Sequence, residues 1–364
     1  MRMSITLSAY FARQFLLWLV GILLALIAII VLFDVVELTR RAQGKEAADF
    51  WVVFRMALLR APFLAEKVLP FAVLFAALLS FRRLTKSNEL AVARAAGISV
   101  WQFLLPATSI AVLFGVVQVT LFNPLSSILL SEYERMENVF FKGRTSLLAV
   151  KSSGIWLRQG GDQGQVVIHA ARVAQDSMRL EDVIVFLYRG RDQFSGRIDA
   201  ASATLHDGYW ELSSAWLSKP HQRPQLVASY RLPTDLTLES IQDGFASPET
   251  MSFWDIPGFI RSLEAAGFTA HRHRLYWHAL LATPVLLCAM VLIAATFSLR
   301  PARRGGTVYL AAGGIGAGFL LYFMSNVVYA LGLSSSIPVV LAAWTPAGVS
   351  MLLGVSTLLH LEDG

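Results

Sequence analysis

A single cysteine, Cys288, stands among the 364 residues, inside the apolar run "VLLCAMVLI". That excludes an intrachain disulfide and any paired-cysteine metal site, and it reads as a small packing residue in a membrane helix. Charge is scarce too. Only 15% of the residues are Asp, Glu, Lys or Arg, where soluble domains carry about 25%, and 55% are hydrophobic. Such a surface does not face mainly water. Catalytic and nucleotide motifs are also missing. No GxxxxGK[ST] occurs, and the nearest fragment, "TRRAQGKEA", lacks the first glycine and follows Lys45 with Glu46. The chain is therefore not expected to cradle ATP phosphates itself. Neither GxSxG nor HExxH is present, which removes two large hydrolase classes.

What the chain does have is long apolar runs. Six candidate spans lie at about 13–36, 56–80, 100–122, 275–298, 307–331 and 338–360, each near the ~20 residues that cross ~30 Å of hydrocarbon. The class is a polytopic α-helical membrane protein. "MRMSITLSAYFARQFLLWLVGILLALIAIIVLF" begins basic and lacks an Ala-x-Ala-type end, so an uncleaved first span is expected. Arg2 and Arg13, then Arg82, Arg83, Lys86 and Arg94, then Arg300, Arg303 and Arg304 fall on one side of the six spans. The positive-inside rule makes that side, with both termini, cytoplasmic. It also accounts for the net charge of +6 without a nucleic-acid partner. Arg40, Arg41 and Lys45 fall on the opposite side, which gives them a reason to be there other than orientation.

Residues 125–270 differ in kind. "GIWLRQ", "GQVVIHAARV", "LEDVIVFLYRG" and "QLVASYRLPTDLTL" are β-branched or aromatic runs separated by turn residues, and "HDGYW" reads as an Asp-Gly hairpin. The expected organisation is a first transmembrane half over 1–124 and an extracytoplasmic all-β, jelly-roll-like domain with a return helix over 125–270. A second transmembrane half follows over 271–364.

Several patterns invite chemistry. "GGIGAG" at 313–318 lies in an apolar run after no strand, so close helix packing through small residues is the reading, not a phosphate loop. His271, His273 and His278 in "HRHRLYWH" read as a basic, aromatic interface anchor, with a metal site as the weaker alternative. The spans show almost no internal charge, Asp34 and Glu37 standing at the end of the first. A proton relay at membrane depth is thus not evident, and energy is expected from another subunit. Two charged elements remain. "RRLTKSNELAVARAAGIS" (82–99) forms a short helix over about 86–97, capped by Ser87 and stopped at Gly97, with Leu90 and Arg94 near the lone acid Glu89. It is either a solvated loop or a helix on which another protein packs. "ELTRRAQGK" (37–45) carries a basic pair that either snorkels to headgroups or grips phosphates through bidentate forks.

These residues together resemble a known family. Three spans, an extracytoplasmic β domain and three more spans are the order of the lipopolysaccharide export permeases LptF and LptG (YjgP/YjgQ). "KSNELAVARAAGIS" (86–99) looks like that family's coupling segment, and "FIRSLEAAGFTAHRHRLYWHALLATP" (259–284) looks like its entry to span four. "GIGAGFLLYFMSNVV" and the tail of span one look closer to the LptG member. The resemblance implies a non-catalytic inner-membrane permease without a cofactor of its own, ATP and Mg being used by a cytoplasmic LptB-like ATPase dimer. Glu89, Ser87, Leu90, Arg94 and Gly97 would form the ATPase-coupling helix. Arg40, Arg41 and Lys45 would contact lipopolysaccharide phosphates. Gly316, Phe319, Tyr322 and Phe323 of span five would line a cavity shared with an LptF-like paralogue. The β domain would pass lipid to a periplasmic LptC-like bridge. One departure stands out: some relatives carry a basic residue a turn or two before the basic pair, where this chain has Asp34 and Glu37. A membrane enzyme modifying envelope lipid and a scaffold that moves nothing are the competing classes.

Overall fold

Why the chain folds as it does follows from its solvent. Where water is absent, every backbone polar group must be satisfied within its own segment, and continuous helices do this. The computed structural model describes residues 5–42, 49–142, 148–151, 154–161, 164–174, 179–189, 193–220, 222–234, 247–265, 269–299 and 307–363. Six of its helical stretches are long and apolar enough to cross a membrane. They are built from α1 (Ile5–Ala42), α2 (Phe50–Lys86), α4 (Val100–Val117) continued by α5 (Asn123–Glu137), α7 (His271–Ser298), α8 (Thr307–Leu333) and α9 (Val339–Asp363). The short α3 (Glu89–Ala95) joins α2 to α4, and α6 (Ile256–Ala265) precedes α7. The six expected spans are thus present. The chain divides into a helical unit, 1–142 with 249–254 and 274–364, and a second unit, 143–248 with 255–273.

The helical unit has its main core where α1, α2, α4 and α7 meet. Phe15, Leu19, Val73, Leu74, Phe103 and Val291 are all buried there, and Phe11 meets Phe103 edge-on with ring centres 4.7 Å apart. A second cluster, around Leu38, Met56, Leu130 and Tyr133, ties α1 and α2 to α5. Glycines allow the closest approaches. A Cβ on Gly314 or Gly318 would press on Leu78 or Leu74 of α2, which places the "GGIGAG" stretch in close helix packing.

The third span runs further than its composition predicts. Residues 125–137 are read from sequence as the start of the β segment, yet they stay helical. The reason is a stripe at helical spacing, Ser126, Ser127, Leu130 and Tyr133, which is buried. Two π-helical segments, Gln118–Phe122 and Asn138–Lys142, flank α5.

In the second unit, the described strands β1 (Leu148–Lys151), β2 (Gly154–Gly161), β3 (Gly164–Ala174), β4 (Arg179–Arg189), β5 (Gln193–His206), β6 (Tyr209–Ser218) and β7 (Gln225–Pro233) form one antiparallel sheet. Its order is β1 to β7 without a crossover. The inserted all-β region is therefore as read from sequence, but each described strand pairs with its neighbour in sequence, where a jelly roll crosses over. The short Asp207-Gly208 turn, with Gly208 at φ 84°, returns β6 beside β5. Cross-strand partners Leu157, Ile168, Val185 and Ile198 form one buried row. The sheet also curls on itself: Gln159 of β2 donates to the Pro233 carbonyl at 3.0 Å and accepts from Thr234.

The closest approach of a glycine to another helix's backbone yields a test. A Cβ on Gly115 of α4 would stand 2.7 Å from Pro284 Cα on α7, while one on Gly21 of α1 meets nothing within 4 Å. Backbone cannot yield as a side chain can, so Gly115→Ala is expected to cost about 1–3 kcal/mol. Its melting temperature in detergent should fall by several degrees, whereas Gly21→Ala should leave it unchanged or slightly raised.

Candidate functional site

The segment 82–99 folds into a helix held between two reversed residues. α2 runs on to Lys86, Asn88 then takes a left-handed conformation at φ 59°, and α3 begins at Glu89. Gly97 reverses the chain again at φ 83°, as glycine does past a helix end. Ser99 starts α4 with a capping box shared with Gln102. Leu90 and Ala93 turn inward and are buried, Leu90 in the core with Phe103. Ala91, Val92, Arg94, Ala95 and Ala96 face outward, and Val92 is 69% exposed. The expected cap is corrected: Asn88, not Ser87, is the N-cap, and it makes no side-chain cap bond. Because α2 extends to Lys86, Ser87 closes α2 instead. Its Oγ lies 3.0 Å from the Arg83 carbonyl and 2.8 Å from Glu89 Oε1. Glu89 is half-buried in the first turn, where the helix dipole favours a carboxylate.

At the other end of α1, Glu37 answers the basic pair from one turn back. Its carboxylate accepts Arg40 Nε at 2.9 Å and Arg41 Nε at 2.8 Å. Both guanidinium groups remain substantially exposed, and Arg41 also stands 3.8 Å from Glu137. Lys45 lies outside the described residues. The span-five residues share an open face. Phe319, Tyr322 and Phe323 are exposed on α8, Gly316 has open space beside it, and Phe71 of α2 approaches Tyr322 at 4.8 Å between ring centres. In the most apolar windows of α1 and of Ala312–Leu333 only 11% of residues are buried, against 61% in α7. These two helices thus present bare apolar faces. Among the described residues no group of three His, Cys, Asp or Glu could hold a metal ion; the His273 ring packs against Phe259 and that of His278 against Trp277.

The structure corrects the expectation of nearly uncharged spans. α2 carries Arg60, Glu66 and Lys67 well inside its length. Arg60 Nη1 meets Asp34 Oδ1 at 2.8 Å and its guanidinium lies over the Tyr133 ring, tying α1, α2 and α5 together. Glu66 Oε2 lies 3.4 Å from Asn123 Nδ2, and Asn123 Nδ2 is 3.3 Å from the Tyr276 hydroxyl. Asn123 Oδ1 accepts the Phe253 amide at 3.0 Å. The signal that finds these groups is "LLRAPFLAEKVLP": ionisable residues within an apolar run mark a function or a partner.

The Asp34–Arg60 pair is inaccessible enough to test. Asp34 is 8% exposed and Arg60 31%. Arg60→Met leaves the buried carboxylate without its cation and is expected to cost about 1–3 kcal/mol. The double variant Asp34→Leu with Arg60→Met should recover much of that loss, read as melting temperatures of the two proteins in detergent.

Comparison with known proteins fits this arrangement. The family model described as "Lipopolysaccharide export system permease LptF/LptG" matches residues 9–360. The chain is 23% identical over 362 residues to the lipopolysaccharide export system permease protein LptG of Haemophilus influenzae, covering 94% of this chain and 95% of that one. It is also 23% identical over 314 residues to the LptG of Escherichia coli K12, covering 83% and 84%. With six spans, an inserted antiparallel sheet and a match across nearly its whole length, the chain belongs to the LptF/LptG family of lipopolysaccharide export permeases.

Proposed function

We propose that this chain is the permease subunit of an ATP-binding cassette transporter. It extracts lipopolysaccharide from the outer leaflet of the inner membrane and passes it to a periplasmic bridge. The observation that carries this reading is α3, a short helix pinned inward by Leu90 and Ala93 with its small-residue face and Val92 left bare. The sequence has no nucleotide-binding motif of its own, so work done on the spans must enter through a partner. α3 joins two spans directly, and its outward Ala91, Ala95 and Ala96 admit a partner surface closely. An LptB-like ATPase dimer docks there, and Glu89, held by Ser87, sits at the joint. Nucleotide-driven movement of the dimer then moves α2 and α4.

The bare faces of α1 and α8 fit an LptF-like paralogue across a cavity lined by Gly316, Phe319, Tyr322 and Phe323. Acyl chains enter that cavity because burying them there removes apolar area from water during passage, at roughly 25 cal/mol per Å². Arg40 and Arg41 stand at the periplasmic end and offer guanidinium forks to phosphates. Glu37 holds the two side chains ready and must share or yield them when phosphate arrives. With α3 and the termini cytoplasmic, the β unit is periplasmic and passes lipid towards an LptC-like bridge protein.

Glu89→Ala and Glu89→Lys are expected to reduce co-purification with the ATPase subunit, or extraction of lipopolysaccharide from vesicles, about tenfold. Unchanged association together with unchanged extraction would overturn the coupling role. Arg40→Ala combined with Arg41→Ala is expected to lower photocrosslinking of lipopolysaccharide to α1 by a similar factor, and unaltered crosslinking would remove both residues from the site.

A further inference from the structure

One corner of the helical unit, where α1 passes α3, carries side-chain bonds that the proposed docking does not use. α1 sends two polar residues to it, Tyr10 and Gln14, one turn apart and so on one face of the helix. The Tyr10 hydroxyl donates to the carboxylate of Glu89 at the start of α3. With its amide oxygen turned to accept, Gln14 takes Arg83 Nη1 of α2 at 2.9 Å and Trp18 Nε1 at 2.8 Å. Gln14 is 8% exposed, so these donors satisfy an acceptor that water barely reaches.

These bonds close a circuit. The Arg83 carbonyl lies 3.0 Å from Ser87 Oγ, Ser87 Oγ lies 2.8 Å from Glu89 Oε1, and Glu89 returns to α1 through Tyr10. Three helices share one polar knot, and α1 enters it at two points. Glu89 thereby receives a charge-assisted bond, the stronger kind, from a helix separated from α3 by the whole of α2. The knot is not what holds α1 in place. Phe11, Phe15 and Leu19 bury this stretch in the core, and Phe11 meets Phe103 of α4 edge-on. Tyr10 itself is 42% exposed, so its ring adds little to that packing. What its hydroxyl adds is a link: Glu89 cannot shift without drawing on α1.

We infer that Tyr10 is a positioning residue that carries movement of α3 into α1, the span that ends in Arg40 and Arg41. The inference rests on the coupling role proposed for α3 and adds a third span to the two that α3 joins directly. From Tyr10 to Arg40 the helix is unbroken, about 45 Å long at 1.5 Å per residue. It contains no proline, so it lacks the usual kink point, and a shift or turn at Tyr10 arrives at the basic pair. An ATPase surface that pulls on Glu89 therefore acts on the lipid-contacting span through one hydroxyl. Loss of that hydroxyl leaves the dock in place and frees α1 from it.

The test compares the full-length chain with Tyr10→Phe, each assembled with its paralogue and ATPase subunit in vesicles loaded with purified lipopolysaccharide. Two quantities are read from each complex: the ATPase retained on purification, and the lipopolysaccharide extracted per ATP hydrolysed. Tyr10→Phe should lower the second about fivefold, the worth of one hydrogen bond, and the first by less than about twofold. Added to Glu89→Ala, it should lower the yield no further than Glu89→Ala does alone, because both changes break the same bond. An unchanged yield per ATP from Tyr10→Phe would overturn the inference. So would an equal loss of retained ATPase, which would make Tyr10 part of the dock alone, or an effect that multiplies in full with Glu89→Ala. Those three outcomes leave the coupling role of α3 standing. Unchanged retention together with unchanged yield in Glu89→Ala would remove that role, and the inference with it.

Discussion

Hydrocarbon offers nothing to a peptide group, and the whole helical unit answers to that constraint. The spans are continuous helices, yet α2 contains Pro62 and Pro70, α4 Pro106, α7 Pro284 and α9 Pro346. Each proline removes one rung from its helix. Hydroxyls bond carbonyls one turn back along the spans, Thr108 to Leu104, Thr283 to Ala279 and Ser325 to Leu321. Charged and amide side chains follow the same rule. Asp34 meets Arg60, and Asn123 meets three partners.

Much of the architecture was legible because it rests on composition. Apolar runs of the right length located the spans, and β-branched runs between turn residues located the strands. Boundaries were less legible. The stretch from Asn123 to Glu137 has too many serines and charges to look like a span, and only its buried stripe keeps it helical. Sheet connectivity was lost for a different reason: strand residues report their faces, while the choice between a meander and a crossover resides in tertiary contacts such as Gln159 to Pro233.

The candidate site was legible in part. Gly97 ends its helix as its neighbours predict, because only a residue free of Cβ strain reverses easily. Ser87 did not cap α3, since one additional turn of α2 shifted every later position. Glu37's grip on Arg40 and Arg41 follows from i, i+3 and i, i+4 spacing. The partner of Asp34, in contrast, lies 26 residues away on another helix. No local pattern encodes such a pairing, and the same holds for Glu66 and Asn123, 57 residues apart.

The two reversed residues around α3 have a mechanical consequence. Asn88 at φ 59° and Gly97 at φ 83° bracket a single two-turn helix, with Ser87 on one side and the Ser99 capping box on the other. Such a linkage contains almost no slack. In the proposed coupling, a push on the outward face would turn about the buried Leu90 and Ala93 and be shared by α2 and α4. Because α2 is 37 residues long, a small rotation at this end sweeps a much larger arc at Phe50, on the far side of the bilayer.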